Sequence, residues 1–242
     1  MIKIKIKGNF MIKIISIFLC FFIFSTASAE YDALKKIMEK TYPELTIRSI
    51  KKTDYNDLYE VFIGSQIIYT NDNFDFLIVE GRVVDTKTKI DLTEVRLDEL
   101  TRVPLNDLPL LDAIKVVKGN GERKIAIFSD VDCPYCKRLE KKELSNIDNI
   151  TVYTFLYPLA IHPEAEEKSK KIWCAKDRAK AWSEYIFNDM LPKNSGDCKT
   201  PINKILKLGK DLGISSTPTI ILSNGKRLPG AIPYKQLEEY LQ

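Results

Sequence analysis

The sequence holds a single histidine, His162, in 242 residues, and it has no glycine-rich phosphate loop. Histidine-rich zinc sites and phosphate-binding P-loops are therefore poor readings. Charge of one sign is lacking too. The formal net charge of +4 equals the contribution of Lys3, Lys5, Lys7 and Lys13 at the extreme N-terminus. The rest of the chain is near neutral, so the basic pI gives no reason to expect a nucleic-acid partner. Lysines further on, such as Lys168, Lys170, Lys171 and Lys176, are interleaved with acids. Cysteine is scarce, at 5 residues. Only Cys133 and Cys136 form a CxxC; no second CxxC completes a four-thiolate zinc site.

The N-terminal segment reads as a secretory leader over residues 1–29. Its lysines precede an apolar run, Ile14 to Phe24, and the small residues Ala27-Ser28-Ala29 mark a cleavage site before Glu30. That run is shorter than the roughly 20 residues of a spanning helix; an uncleaved anchor is the alternative. Cleavage near Ala29 removes Cys20 and leaves Cys133, Cys136, Cys174 and Cys198. An even number of cysteines in an exported chain suits an oxidising compartment.

Residues 30–91 read as a small α+β unit: a helix over Tyr31 to Lys40, then strands at Leu45–Ile50, Leu58–Ile63 and Gln66–Thr70. A meander of Phe76–Glu80 and Arg82–Asp85 around Gly81 completes it. A unit of this size has a marginal core and exposed sheet edges. Pairing with a second copy addresses both; packing on the next domain is the alternative. Residues 92–112 read as a stiff linker with a helix over Glu94 to Leu100, broken by Pro104 and Pro109.

Residues 113–242 form the second domain. Lys124–Phe128 is nearly continuous apolar sequence, as in a strand covered on both faces. The CxxC follows at the start of a helix from Pro134 to about Leu144. A strand over Ile150–Tyr157 and a long helical region come next. Thr219–Leu222 and Lys226–Leu228 then form a hairpin around Asn224-Gly225, and a helix from Tyr234 to Leu241 closes the chain. This is the element order of a thioredoxin fold with a helical insertion.

A lone CxxC permits redox work, half of a metal site, or a structural disulfide. A helix N-terminus favours the thiolate of the first cysteine. Cys133 therefore reads as an exposed nucleophile, and Cys136, one turn deeper, as the resolving thiol. Asp130 and Asp132 read as turn residues pointing to water, with tuning of the thiol as the alternative. His162 reads as a loop histidine. Cys174 and Cys198 read as a structural disulfide, with a second redox pair as the alternative. Thr217-Pro218 stands just before a strand. Placed opposite the CxxC, the Thr217 backbone can pair with an extended substrate as an added strand does.

Three pieces together resemble one family: Phe128-Ser-Asp-Val-Asp-Cys-Pro-Tyr-Cys136, the pair Cys174/Cys198, and Ser216-Thr217-Pro218-Thr219-Ile-Ile-Leu222-Ser-Asn-Gly225 with Pro229-Gly230. The family is the bacterial periplasmic DsbC/DsbG disulfide isomerases, and the likeness runs from Glu30 to Gln242. It implies a cystatin-like dimerisation domain, a linker helix and a thioredoxin-like catalytic domain assembled as a homodimer with an apolar cleft. It implies that Cys133 attacks and Cys136 resolves, that Pro218 is cis with Thr217 before it as the substrate platform, and that Cys174 pairs with Cys198. The implied substrates are misfolded exported proteins with disulfides, and the implied reductant is a membrane thiol reductase of the DsbD type. No cofactor, metal or nucleic acid is called for. The Pro-Tyr dipeptide is that of the DsbG branch, whereas the main isomerase branch has Gly-Tyr; the hairpin and the length favour the isomerase branch. The expected function is disulfide isomerisation in the periplasm. A DsbG-like reductase or chaperone for oxidised single cysteines, and a dithiol oxidase, are the alternatives.

Overall fold

A computed structural model describes residues 24–242, with side chains from Tyr31 onward. Most of the expected leader, and Cys20 with it, lies outside the described residues. The chain divides into two compact units between Thr93 and Glu94.

In the first unit, helix α1 (Phe24–Thr41) begins earlier than the expected Tyr31. Strands β1 (Ile47–Lys52), β2 (Tyr59–Ile63) and β3 (Gln66–Thr70) form an antiparallel sheet in the order β1-β2-β3. Leu34 and Met38, four residues apart and so on one face of α1, pack against Tyr59, Val61, Ile63 and Ile68. The expected strands over Phe76–Glu80 and Arg82–Asp85 do not form. Only isolated bridges, Tyr69 to Ile78 and Val84 to Asp91, remain of them. Leu77 packs on the core of this unit, but Phe76, Ile78, Val79 and Val84 are exposed. Strand propensity depends on a half-buried surface to pack against. The turn also falls differently, because Glu80 rather than Gly81 takes the left-handed conformation, at φ 59°. Gly81 is required for another reason: a Cβ there would lie 2.3 Å from Ile78 Cγ2.

Helix α2 (Leu92–Leu100) spans the division between the units. Beyond it, Leu105 and Leu108 of the expected connector are buried in the core of the second unit. That unit is built on a sheet of β4 (Ile114–Lys118), β5 (Arg123–Ser129), β6 (Ile150–Leu156), β7 (Thr219–Leu222) and β8 (Arg227–Pro229), in the order β4-β6-β5-β7-β8. Only β5 and β6 run parallel. Alternate residues of β5 enter two cores: Ile125 and Ile127 one, Ala126 and Phe128 the other. This two-sided burial explains its unbroken apolar sequence. Gly225 closes the β7–β8 hairpin at φ 85°, a conformation that costs glycine little.

After β5 come the CxxC helix α3 (Pro134–Arg138), a π-helical turn (Leu139–Glu143) and a 3₁₀ turn (Leu144–Asn146). The expected single helix is thus three successive helical geometries. The insertion consists of α4 (Ala165–Trp173), α5 (Arg178–Asn188) and α6 (Ile202–Asp211), where the sequence suggested helical stretches over about Pro163 to Lys180, Trp182 to Phe187 and Pro201 to Leu212. Asp177 separates α4 from α5 by accepting the Lys180 backbone N–H at 2.9 Å as an N-cap. The closing helix is α7 (Tyr234–Tyr240).

Candidate active site

Strand register assembles the site. In the β5–β7 pair Phe128 faces Thr219 in antiparallel register. The chain leaving β5 toward Cys133 therefore meets the chain entering β7 from Thr217-Pro218. In the parallel β5–β6 pair Ser129 faces Leu156, so the loop after β6, with His162, emerges at the same end.

Pro134 occupies the first turn of α3, where its missing N–H is not needed, and Cys133 stands at the N-cap with extended geometry. The peptide bond between Thr217 and Pro218 is cis. The Cys133 thiol donates to the Thr217 carbonyl at 3.4 Å, and the Asp130 N–H donates to Cys136 Sγ at 3.4 Å. Neither active-site cysteine is in a disulfide. Cys174 and Cys198 are joined, at S–S 2.01 Å, and tie the C-terminus of α4 to the segment before α6.

The environment separates the two free thiols. Hydrogen bonding from Cys136 draws the Cys133 thiol down to about 5; burial opposes this, and Thr217 and the backbone N–H groups of Cys136 and Tyr135 assist it. The helix terminus expected from the sequence therefore contributes, but the neighbouring thiol contributes more. The Thr217 hydroxyl is buried without a hydrogen-bond partner, a donor available to a thiolate. Burial, and then the hydrogen bond with Cys133, push the Cys136 thiol up.

Three expectations need correction. Cys133 is not exposed: only 5% of its surface is accessible, against 0% for Cys136. The Thr217 loop lies against its sulfur, whereas Tyr135 beside it is open to solvent. Nor do the two aspartates point to water. Asp130 is wholly buried; its carboxylate accepts the N–H groups of Asp132 at 2.8 Å and Leu159 at 2.6 Å, and stands 3.0 Å from His162 Nδ1. Asp132 accepts from Lys168 Nζ at 2.9 Å and from the Tyr185 hydroxyl at 2.7 Å. Burial of this kind requires partners for a carboxylate, and these partners come from distant parts of the chain. His162, third, is a site neighbour rather than a free loop residue, and Asp130 raises its pKa. Trp173 and Trp182 are buried in the core, away from a ligand role. Among the described residues no three histidine, cysteine, aspartate or glutamate side chains are grouped as metal ligands.

A dithiol at the start of a helix, facing a cis-proline loop across this sheet, defines a thioredoxin-like thiol–disulfide exchange enzyme. Residues 110–242 match the thioredoxin-like domain family, and residues 25–94 match the N-terminal domain family of disulfide bond isomerase proteins. The chain is 38% identical over 210 residues to a probable thiol:disulfide interchange protein DsbC of Bordetella pertussis, covering 87% of this chain and 74% of that one. It is 28% identical over 232 residues to the thiol:disulfide interchange protein DsbC of Escherichia coli K12, covering 93% and 94%. A crystal structure of a disulfide interchange protein from Neisseria gonorrhoeae superposes with TM-score 0.53 and 42% identity, over 55% of this chain and 96% of that one. The chain belongs to the DsbC family of thiol:disulfide interchange proteins.

Proposed function

We propose that this protein is a periplasmic disulfide isomerase that acts through Cys133 and Cys136. The observation that carries the reading is the placement of the two thiols. Cys133 stands at the N-cap of α3 with its sulfur 3.4 Å from the Thr217 carbonyl before the cis-proline, and Cys136 is wholly buried one turn deeper. The first setting draws a thiol down and the second pushes it up. At neutral pH Cys133 is the thiolate, and it attacks one sulfur of a substrate disulfide. A mixed disulfide forms and the other substrate sulfur leaves as a thiolate. Cys136 stays protonated and resolves slowly. That leaves time for a different substrate thiolate to attack the substrate sulfur of the mixed disulfide. A new substrate disulfide forms, the bond to Cys133 breaks and Cys133 leaves as the thiolate, which is isomerisation. When no such exchange occurs, Cys136 loses its proton, attacks Cys133 Sγ and releases the substrate thiol, leaving the enzyme oxidised.

Ionisation of Cys133 also removes the proton that now occupies the Thr217 carbonyl. That carbonyl is then free to accept an N–H from an extended substrate, in the manner of strand addition. Thr217 and Pro218 are the substrate platform in this reading, and Cys174–Cys198 is the structural disulfide. A membrane thiol reductase of the DsbD type restores the dithiol. The leader directs export and is cleaved near Ala29, which leaves the mature chain in the periplasm; among the described residues no helix is long and apolar enough to cross a membrane. Residues 30–91 pair two copies into a homodimer, 92–112 link, and 113–242 catalyse. Uncovered Phe76, Ile78, Val79 and Val84 in the first unit support a partner copy. The relatives described above carry the DsbC name, so the DsbG-like and oxidase alternatives are not favoured.

Refolding of a scrambled protein with several disulfides tests the assignment. Wild type accelerates recovery of activity and Cys133→Ala does not. Equal recovery with both would overturn it.

A further inference from the structure

The residue directly before the nucleophile is an acid. An uncompensated carboxylate there would oppose a thiolate on Cys133, since like charges disfavour each other's ionised form. The structure compensates it from the helical insertion. Lys168 of α4 places Nζ 2.9 Å and 3.0 Å from the two Asp132 oxygens. Tyr185 of α5, buried at 5% exposure, donates its hydroxyl to the same carboxylate at 2.7 Å. The ion pair is itself largely removed from water, with side-chain exposures of 23% for Lys168 and 18% for Asp132. Charges so placed are screened less than surface pairs.

The surroundings keep this arrangement in place. Lys168 also pairs with Glu164, one turn earlier, at 2.8 Å. Lys137 of the active-site helix lies 4.9 Å from the Tyr185 ring centroid and pairs with Asp189 at 2.6 Å. Two residues earlier in the same turn, Asp130 takes the Asp132 N–H, with His162 beside it. Burial alone would raise the Asp132 pKa; Tyr185, Lys168 and Lys137 outweigh it and hold the group below the usual carboxylate range. Asp132 is therefore an anion beside the nucleophile across the working pH range, and its neutralisation depends on the insertion.

We propose that Lys168 and Tyr185 are positioning residues for the exchange reaction: by neutralising and fixing the Asp132 carboxylate, they keep Cys133 in its thiolate form. The insertion would then set the reactivity of the nucleophile as well as enlarging the fold. This inference rests on the reading of Cys133 as the attacking thiol, which the same experiment checks separately.

The experiment is a titration of the full mature chain in its dithiol form, followed by thiolate ultraviolet absorbance and by the rate of iodoacetamide alkylation. Wild type is expected to give an acid-range midpoint. Lys168→Met is expected to raise it by about one pH unit, a shift typical of one nearby charge and equal to about tenfold less thiolate below the midpoint. Tyr185→Phe should move it in the same direction by less. Lys168→Arg should stay near wild type, because the charge remains. The double variant Asp132→Asn with Lys168→Met is decisive, because it removes the carboxylate together with its partner. Its midpoint should return toward wild type even though the clamp is gone. A midpoint in Lys168→Met equal to that of wild type would overturn the proposal. So would a double variant as shifted as Lys168→Met, since that pattern belongs to a purely structural staple. A wild type without an acid-range thiolate would instead overturn the assignment of Cys133, and the inference with it.

Discussion

The second unit contains two cysteine pairs, one bonded and one open. Cys174 and Cys198 are 24 residues apart and bonded; Cys133 and Cys136 are three apart and open. Accessibility does not separate them in the expected way, because Cys133 is more buried than Cys198. What differs is the setting. The first pair joins an insertion helix to a loop and has no ionised partner to find. The second lies at a helix start, between a carbonyl on one strand connection and a buried N–H on another. Its two sulfurs therefore have unlike thiolate stabilities, and a dithiol with unlike thiols is chemically poised where a closed bond is only mechanical.

Removing one thiol from each pair tests this comparison hardest. Cys133→Ala should abolish acceleration of refolding for a scrambled substrate, whereas Cys136→Ala should retain attack but accumulate mixed disulfides, visible on non-reducing gels. The double variant Cys174→Ala with Cys198→Ala should lower unfolding free energy by about 3 kcal/mol on loop entropy for a loop of this size. It should leave exchange per folded molecule close to wild type at low temperature. Loss of exchange from a folded double variant would break the comparison, because it would make the second pair redox-active or essential to site geometry.

pH sharpens it further. Cys133, drawn down to about 5, should alkylate at an almost constant rate through neutral pH and slow as pH falls through that value. The linkage has a definite sign. A thiol whose folded pKa lies below its unfolded value of about 8.5 contributes stability that is full above the unfolded value and lost as pH falls through the folded one. Denaturant midpoints of the dithiol form should therefore decline from alkaline toward acid pH more steeply than those of Cys133→Ala. Parallel curves would mean that Cys133 is not selectively ionised in the folded state.

The sequence made some of this legible and hid the rest for identifiable reasons. β5, the CxxC turn and the β7–β8 hairpin were readable because each depends on adjacent residues: an unbroken apolar run, Pro134 at a helix start, Asn224-Gly225 at a turn. Phe76 to Asp85 misled because its apolar runs promised a ladder that this unit leaves largely uncovered. Asp130 and Asp132 were misread because what removes them from water lies far along the chain: Leu159 is 29 residues beyond Asp130, and Tyr185 53 beyond Asp132. Local spacing cannot report such partners. Only the parallel pairing of β5 with β6, and the packing of α4 and α5, bring them together.

The smallest expected effect concerns a carboxyl just behind the active-site helix. Glu140, in the π-helical turn, accepts the Trp182 Nε1–H at 3.1 Å. Desolvation pushes its pKa up to about 7, with Trp182 and Lys118 restraining the rise. The sign is opposite to that of Cys133. A carboxyl raised above its unfolded value of about 4.3 gives stability that is full below that value and lost as pH rises through about 7. Glu140→Gln keeps an acceptor for the indole without the ionisation. Thermal unfolding of the variant and wild type should agree best below about pH 4 and diverge as pH rises toward about 7, with the variant the more stable at and above neutrality. The same substitution should leave the Cys133 titration unmoved, since no contact joins Glu140 to either sulfur. A shifted Cys133 midpoint in Glu140→Gln would show that the nucleophile is governed from beneath its helix as well as from Asp132 and the insertion.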